Sequence, residues 1–200
     1  MKPFLVVDNF VRDPESVRRS ALLSGFGTWK PNKGEVGSSI YDGMNFWGDH
    51  GTLLKGLSQA LKAPVFPNSM FFRVTNLTTE AAYVHSDREA GDYTAIVYLS
   101  HHEDSGTGFY RHRETQWDRM PSFAELTAQP DMFDKLKREM VEGSPDTWEQ
   151  IKFVPGIFNR ALIFEAPFFH ARHPRHGFGT TPEEGRMVWV AHYSVGEVRG

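Results

Sequence analysis

The chain has 200 residues, enough for one domain that buries its own hydrophobic core without covalent crosslinks. It contains no cysteine, which excludes disulfide scaffolds, thiolate zinc sites and cysteine nucleophiles, so a bound metal has to be held by His, Asp or Glu. With 22 Lys and Arg against 25 Asp and Glu, it also lacks the global basic field that drives nonspecific nucleic-acid binding.

The apolar segments of the sequence are short. None approaches the roughly 18 to 20 apolar residues of a membrane span, and the N-terminal run is too short for a signal peptide. We therefore expect a soluble, cytoplasmic protein without a membrane partner. Aromatic residues make up 14 % of the chain, with 18 Gly and 12 Pro, and this composition favours a sandwich or barrel of short strands joined by turns.

The N-terminal part is predicted to contain one strand and two helices. Phe4–Val7 has the pattern of a strand, and Asp13 can cap a helix that begins at Pro14 and ends near Ser24. A second, amphipathic helix that ends near Pro64 is predicted by four leucines at helical spacing, Leu53, Leu54, Leu57 and Leu61.

From residue 69 onward, strand-like runs separated by turn residues predict a β core. The runs are residues 70–74, 82–85, 93–99, 108–111, 151–154, 160–164 and 187–193. Residues 115–150 show helical patterning instead and are too few to bury their own core, which predicts a helical insertion. We expect a single domain, 1–200, in which residues 1–68 support a core formed by 69–114 and 151–195.

His85-Ser86-Asp87 is the first candidate for a metal site. Residues i and i+2 of an extended segment project to the same face, so both side chains are expected to reach one ion. Two imidazoles and one carboxylate on one face of an octahedral metal leave three positions open, as in non-haem iron(II) oxygenases. The candidates for the second imidazole are His170, His173, His176 and His192.

A second His-x-Asp triplet, His102-Glu103-Asp104, competes with the first. It lies in a polar, glycine-containing link between two strand-like runs, which predicts an exposed hairpin turn.

Among the distant histidines, His170 follows an apolar strand and the turn at Pro167 and lies among aromatic residues, as in a dry pocket. Further on, Arg186 stands at the entrance to the last strand and offers a planar fork for a carboxylate.

In order and spacing, these motifs resemble those of the iron(II) and 2-oxoglutarate-dependent dioxygenase superfamily, in particular its prolyl-4-hydroxylase-like branch. The resemblance covers about residues 70–195. It is carried by His85-Ser86-Asp87, a strand ending in Tyr98-Leu99, a glycine-rich turn at 106–109, the Asn-Arg-x-x-x-Phe pattern at 159–164, His170 and Arg186.

The resemblance implies a mainly β fold with flanking helices and a double-stranded β-helix core, the jelly roll of the cupins. It implies that His85, Asp87 and His170 hold Fe(II), with His173 competing for the last position. It also implies that Arg186 pairs with the distal carboxylate of 2-oxoglutarate and that Tyr98 adds a hydrogen bond to it. The reaction implied is an O2-dependent hydroxylation of a peptide side chain, an amino acid or a small metabolite.

Other functions stay open at this stage. A cupin-like barrel can bind a metal or a small ligand without 2-oxoglutarate turnover, and an iron oxygenase or isomerase can use Arg186 for its own substrate. A halogenase is disfavoured, because the resembling halogenases lack the carboxylate ligand and Asp87 is present.

Two further features have alternative roles. Basic clusters at 111–119 and 172–176 suit either an anionic substrate or acidic peptide, or a solvated surface. Residues 115–150, with Trp117 and Trp148, suit a lid, a packed insertion or an oligomer contact.

Overall fold

Ten strands and four α-helices make up the part of the chain that the structure describes. The structure is a computed structural model that describes residues 4–30, 41–142 and 145–195. The remaining positions of the predicted domain 1–200 lie outside the described residues. The helices are α1 (Pro14–Ser24), α2 (His50–Leu61), α3 (Phe123–Ala128) and α4 (Pro130–Glu142). The strands are β1 (Phe4–Val7), β2 (Gly27–Trp29), β3 (Tyr41–Asn45), β4 (Val65–Thr75), β5 (Tyr93–Tyr98), β6 (Gly106–His112), β7 (Trp148–Pro155), β8 (Ala161–Glu165), β9 (His170–His173) and β10 (Arg186–Val195).

The strands form two antiparallel sheets. The large sheet has the order β1-β8-β5-β10-β4-β3-β2, and the small sheet has the order β7-β6-β9. From β7 to β10 the chain alternates between the sheets, which is the winding of a jelly roll. The expected mainly β fold with flanking helices and a double-stranded β-helix core is therefore confirmed.

Strand β5 shows how the layers stack. Ala95 and Val97 are fully buried on the face that packs against α1 and α2, whereas Ile96 and Tyr98 are buried on the face toward the small sheet. A strand that is covered on both faces has a continuous apolar sequence instead of an alternating one. Residues 94–99 therefore lie at the centre of the molecule, with the helices on one side and the small sheet on the other.

Local signals predicted both N-terminal helices. The Asp13 side chain accepts a hydrogen bond from the Ser16 N–H, Pro14 is the first residue of α1, and the helix ends at Ser24 as expected. Helix α2 ends at Leu61 and is capped by Asp49. None of the helices among the described residues is long and apolar enough to cross a membrane.

Several strands differ from the prediction. Residues 82–85 form no strand, and His85 makes only an isolated bridge with His170. Strands β2, β3 and β9 were not predicted, because their sequences are short and polar or glycine-containing. Strand β9 reads His-Ala-Arg-His and pairs with β6 in register, so its conformation comes from the neighbouring strand and not from local propensity.

The link between β5 and β6 is not the predicted hairpin turn. Strand β5 lies in the large sheet and β6 in the small sheet, so the link crosses from one sheet to the other. Within it, Glu103 and Asp104 are exposed, and the His102 ring stacks on Phe178 with a centroid distance of 3.9 Å.

Helix α4, within the predicted insertion 115–150, packs against the outer face of the small sheet. Leu136 of α4 is fully buried in a cluster with Trp148 and Phe169. The His112 ring nitrogen Nε2 lies 2.7 Å from the Glu139 carboxylate, which ties α4 to the end of β6. The segment contains the predicted helices, but its last three residues already belong to β7. The described part of this segment is thus packed against the β core.

Candidate metal centre

Strand pairing brings His85 and His170 side by side. The His85 N–H donates to the His170 carbonyl at 3.0 Å, and the His170 N–H donates to the His85 carbonyl at 2.9 Å. This is a hydrogen-bonded antiparallel pair, which places the two side chains on the same face. Their ring centroids are 4.4 Å apart.

Asp87 completes a three-residue group with these histidines. Its N–H donates to the Ala166 carbonyl at 3.0 Å, which holds the segment after His85 in place. Asp87 Oδ1 lies 3.6 Å from His85 Nε2, and Asp87 Oδ2 lies 3.2 Å from His170 Nε2. One donor atom of each residue falls within 4.8 Å of the other two, as needed to hold one metal ion.

Backbone carbonyls orient both imidazoles. His85 Nδ1 lies 3.1 Å from the Tyr83 carbonyl, and His170 Nδ1 lies 2.9 Å from the Phe168 carbonyl. A carbonyl only accepts, so Nδ1 is the protonated nitrogen in each ring when the imidazole is neutral. The lone pair of each Nε2 then points toward Asp87, which is the tautomer that a metal ligand requires.

The protonation states of the group also suit a metal. Desolvation of the ring inside the cavity lowers the pKa of His85 to about 4, with the neighbouring His170 adding to the effect, so the His85 imidazole is neutral at pH 7. Burial acts to raise the pKa of Asp87, but its electrostatic interactions and hydrogen bonds with His170 and His192 hold it well below its usual value. Burial acts to lower the pKa of His170, yet Asp87 raises it overall. A metal ion therefore meets an ionised carboxylate and competes with a proton at His170.

Two further side chains that line the cavity also contact the Asp87 carboxylate. The Thr94 hydroxyl donates to Asp87 Oδ2 at 2.9 Å, and His192 Nε2 lies 3.3 Å from the same oxygen. His192 Nδ1 lies 2.7 Å from the Ser69 hydroxyl. The network is satisfied when Ser69 donates to Nδ1 and the Nε2–H of His192 donates to Asp87. His192 was a candidate ligand, and the structure places it beside Asp87 but outside the three-residue group.

We expect His192→Phe to weaken divalent-metal binding by about 10- to 100-fold, the usual effect of losing a contact behind a ligand. Phe keeps most of the ring volume but removes the donor to Asp87. His192→Gln, which retains an N–H donor, should lose less. Iron(II) titration of the anaerobic protein measures the effect, and thermal unfolding checks the fold. Equal iron(II) affinity in folded His192→Phe and wild type would contradict this role of His192.

Arg186 lies in the same cavity as the three-residue group. Its side chain is buried, and one guanidinium nitrogen, Nη2, donates to the Gly106 carbonyl at 3.1 Å. Its Nε has no hydrogen-bond partner among the described residues. Burial lowers the pKa of Arg186 to about 10, so the side chain remains charged at neutral pH. A buried cation with a free donor is a site that favours an anion.

Tyr98 lies beneath Arg186 and does not line the cavity. The Arg186 guanidinium carbon is 5.5 Å from the centroid of the Tyr98 ring. The Tyr98 hydroxyl lies 2.7 Å from the Thr107 hydroxyl, and burial raises the pKa of Tyr98. Thr107 does line the cavity. The sequence therefore pointed to Tyr98 but missed Thr107, whose hydroxyl contacts that of Tyr98 and which lines the cavity.

The cavity has a volume of about 370 Å³ and opens between the two sheets. The metal group and Arg186 contribute to its wall, together with a set of aromatic side chains, Trp29, Tyr41, Phe46, Phe71 and Tyr83. None of the described residues between 115 and 150 lines it. The lid interpretation of that segment is therefore not supported, and its described part contributes packing.

The basic clusters separate into different environments. In the first cluster, His112 is buried beside Glu139, and Arg119 forms an ion pair with Glu165 at 2.9 Å. In the second, Arg172 lines the cavity, whereas the other three members are exposed, His173, Arg175 and His176. Only Arg172 is thus placed to meet a ligand in this cavity.

The sequence interpretation missed several residues that line the cavity. They occupy every second position of their strands, so the alternation of side chains along a strand would have identified them. Arg186, Val188, Val190 and His192 alternate along β10, and all four line the cavity. On β5, Thr94 stands opposite His192 in register. On β4, every second residue again lines the cavity, namely Ser69, Phe71, Arg73 and Thr75. Once Arg186 is chosen as inward-facing, the alternation makes His192 inward-facing too.

A protein-family model described as a family of unknown function, DUF6445, matches residues 68–191. No curated protein matches the sequence. Among solved structures, SnoK, described as a non-haem alpha-ketoglutarate-dependent carbocyclase from nogalamycin biosynthesis, is 15% identical with a TM-score of 0.52. The match covers 96% of this chain and 79% of SnoK.

Two other structures match with similar strength. A prolyl hydroxylase from Trichoplax adhaerens, in complex with a hypoxia-inducible-factor peptide fragment, is 14% identical with a TM-score of 0.51, covering 96% of this chain and 84% of its own. HygX from Streptomyces hygroscopicus, with nickel, 2-oxoglutarate and hygromycin B bound, is 14% identical with a TM-score of 0.50, covering 96% and 82%. These similarities show that the chain shares the jelly-roll fold of these structures, and they do not single out a prolyl-4-hydroxylase-like branch.

Proposed function

The chain belongs to DUF6445, a family of unknown function, and we propose that it is a non-haem iron(II) oxygenase that uses 2-oxoglutarate as cosubstrate. His85, Asp87 and His170 are the proposed iron ligands, and Arg186 is the proposed anchor of the cosubstrate. The observation that carries the proposal is that one cavity holds both the three-residue donor group and a buried arginine with a free donor.

The donor set fits iron(II). Two imidazole nitrogens and one carboxylate oxygen on one side of an ion leave the other side open for a chelating cosubstrate and O2. When bound, iron and 2-oxoglutarate supply the oxidation of a substrate C–H bond by O2, with release of succinate and carbon dioxide. The protein contributes geometry, charge and exclusion of water.

The residues of the chain divide these tasks. The carbonyls of Tyr83 and Phe168 fix the His85 and His170 rings, and His192 fixes the carboxylate of Asp87. Arg186 balances the distal carboxylate of 2-oxoglutarate in a pocket where an unpaired carboxylate would be costly. Thr107, with Tyr98 behind it, is positioned to add a hydrogen bond. The aromatic wall keeps water from the reacting atoms.

Arg186 also separates this proposal from the alternatives. A cupin-like barrel that only binds a metal has no need for a buried arginine beside the metal group. An iron oxygenase without 2-oxoglutarate would use Arg186 for its own substrate, and succinate formation distinguishes that case. The fold similarity to both peptide-bound and antibiotic-bound enzymes leaves the substrate class to be argued from the cavity.

We also propose that the chain acts as one oxygenase domain, with residues 1–68 as support, 69–114 and 151–195 as core and 115–150 as insertion. Strand β1 pairs with β8, so the N-terminal segment completes an edge of the large sheet. A cytoplasmic location is likewise a proposal, consistent with the absence of cysteine from the chain.

Anaerobic titration with iron(II) and 2-oxoglutarate tests the function. We expect a weak visible charge-transfer band that appears only when both are present, followed by succinate formation when air is admitted. Bound iron without a band would support the binding barrel or an oxygenase that does not use 2-oxoglutarate. A band without succinate after exposure to O2 would contradict the proposed turnover.

A further inference from the structure

Two arginines besides Arg186 line the cavity, namely Arg73 and Arg172. Arg73 on β4 forms an ion pair with Glu80, and its guanidinium carbon lies 5.2 Å from the centroid of the Tyr41 ring. Arg172 on β9 donates to the carbonyls of Glu80 and Arg175. The Nε of Arg73 and that of Arg172 are buried without a hydrogen-bond partner in the described structure, and so is Glu80 Oε2.

The charges of the cavity can be balanced group by group. Iron(II), Asp87 and Arg186 together carry two positive charges, which the two carboxylates of 2-oxoglutarate neutralise. Among the described residues that line the cavity, Glu80 is the one acidic partner of Arg73 and Arg172, so this part of the wall carries one positive charge in excess. Asp42, which does not line the cavity, also interacts electrostatically with Arg73. Burial lowers the pKa of Arg73 to about 10 and that of Arg172 to about 9, so both stay protonated at neutral pH.

The neighbouring wall is aromatic and partly open. Trp29 stacks with Tyr41 at a centroid distance of 5.7 Å, and Phe46 packs with Phe71 at 6.1 Å. Trp29 is 38% exposed and Phe46 is 40% exposed, although both line the cavity. Large aromatic side chains that stay accessible inside a concave site are typical of surfaces that bind apolar ligands.

We propose that the substrate is a small molecule that combines an aromatic or broad apolar body with one carboxylate. The carboxylate binds between Arg73 and Arg172, and the body packs against Trp29, Phe46 and Phe71. The single unbalanced charge fits a carboxylate better than a dianionic phosphate. This inference rests on the proposed function, because it assigns the substrate part of the same cavity.

Two substitutions that change the charge of the Arg73–Glu80 ion pair in opposite directions test this inference. Arg73→Met removes the unbalanced positive charge, whereas Glu80→Gln adds one and keeps an oxygen that can accept from Arg73. We expect Arg73→Met to weaken carboxylate binding by about 10- to 100-fold, as loss of a charged hydrogen bond does, and Glu80→Gln to strengthen it. A merely structural role of the pair predicts the same direction of change in both variants.

The probes are 3-phenylpropionate, indole-3-propionate and 2-naphthylacetate, each compared with its primary amide, together with 2-phenylethyl phosphate. Calorimetry is carried out anaerobically on the full chain saturated with iron(II) and 2-oxoglutarate. The charge-transfer band is recorded throughout, so that displacement of 2-oxoglutarate from Arg186 is detected.

The inference holds if at least one carboxylate binds about tenfold or more tightly than its amide, and if this preference falls in Arg73→Met and rises in Glu80→Gln. It is overturned if no carboxylate is preferred, if the phosphate binds most tightly, or if the probes bind only by abolishing the band. A missing band in wild type refutes the proposed function instead. In that case, calorimetry of the two variants without iron still measures carboxylate binding at the Arg73 site.

Discussion

Replacing His170 by Ala should abolish iron(II) binding, whereas replacing His173 by Ala should leave it unchanged. His170 Nε2 lies 3.2 Å from Asp87 inside the three-residue group, but His173 is exposed and its ring packs against Phe153 at 5.3 Å. Loss of a ligand should exceed the about 10- to 100-fold effect of losing a contact behind one, so we expect a decrease of more than about 100-fold. Equilibrium dialysis of iron(II) under anaerobic conditions measures it.

A folding control is needed, because the His170 ring also packs edge-on against Phe164 at 4.7 Å. Circular dichroism and thermal unfolding show whether His170→Ala keeps its fold. His85→Ala provides a second variant, because the His85 side chain is 39% exposed and its removal leaves a smaller packing defect. Retained iron affinity in both variants, or loss of affinity in His173→Ala, would refute the ligand assignment.

Arg186→Leu should leave iron(II) binding intact and greatly weaken the binding of 2-oxoglutarate. Removing one partner of a buried charge pair costs roughly 3–5 kcal/mol, which is about two to four powers of ten in the dissociation constant. The variant should stay folded, since the guanidinium has an unpaired Nε and Leu removes a buried charge. Titration of 2-oxoglutarate into the iron-loaded protein, followed by the charge-transfer band, measures the change.

Arg175→Leu is the matched control for this experiment. Arg175 is exposed and does not line the cavity, and its Nε donates to the Ala82 carbonyl at 3.0 Å. The same substitution there should not alter 2-oxoglutarate affinity. Arg186→Lys should retain part of the affinity for 2-oxoglutarate, because it keeps the charge but loses the bidentate hydrogen bonding of the guanidinium. Wild-type affinity in Arg186→Leu would move the cosubstrate anchor to another arginine of the cavity.

Local sequence patterns were sufficient to predict several elements of the structure. The cap at Asp13 and the proline that follows it define the start of α1, because they act within one helical turn. The strand-like run at 93–99 predicted a strand of the β core, and this strand is β5. The spacing of His85 and Asp87 predicted that both side chains face one site, since adjacent side chains in extended chain point to opposite faces.

The order of the later motifs pointed to His170 and Arg186, but the residues alone also left His173, His176 and His192 as candidate ligands. Only the pairing of His85 with His170 distinguishes them, and this pairing joins segments that are far apart in sequence. Local patterns misjudge both segments: residues 82–85 are strand-like in sequence but form no strand, and β9 is a strand although it has two histidines and an arginine among its four residues. The pairing arises because β6 and the sheet stacking fix the position of β9.

The sequence by itself determined the residue types that the protein offers: histidines and carboxylates as metal donors without any thiol, an arginine at the entrance to the last strand, and a strand-rich chain able to form a jelly roll. The tertiary structure decided which histidine joins the group, that His192 contacts Asp87, and that Arg73 and Arg172 meet at one cavity. Residue type and short-range spacing are local properties. Register and sheet packing depend instead on burial shared between distant segments, which local patterns do not encode.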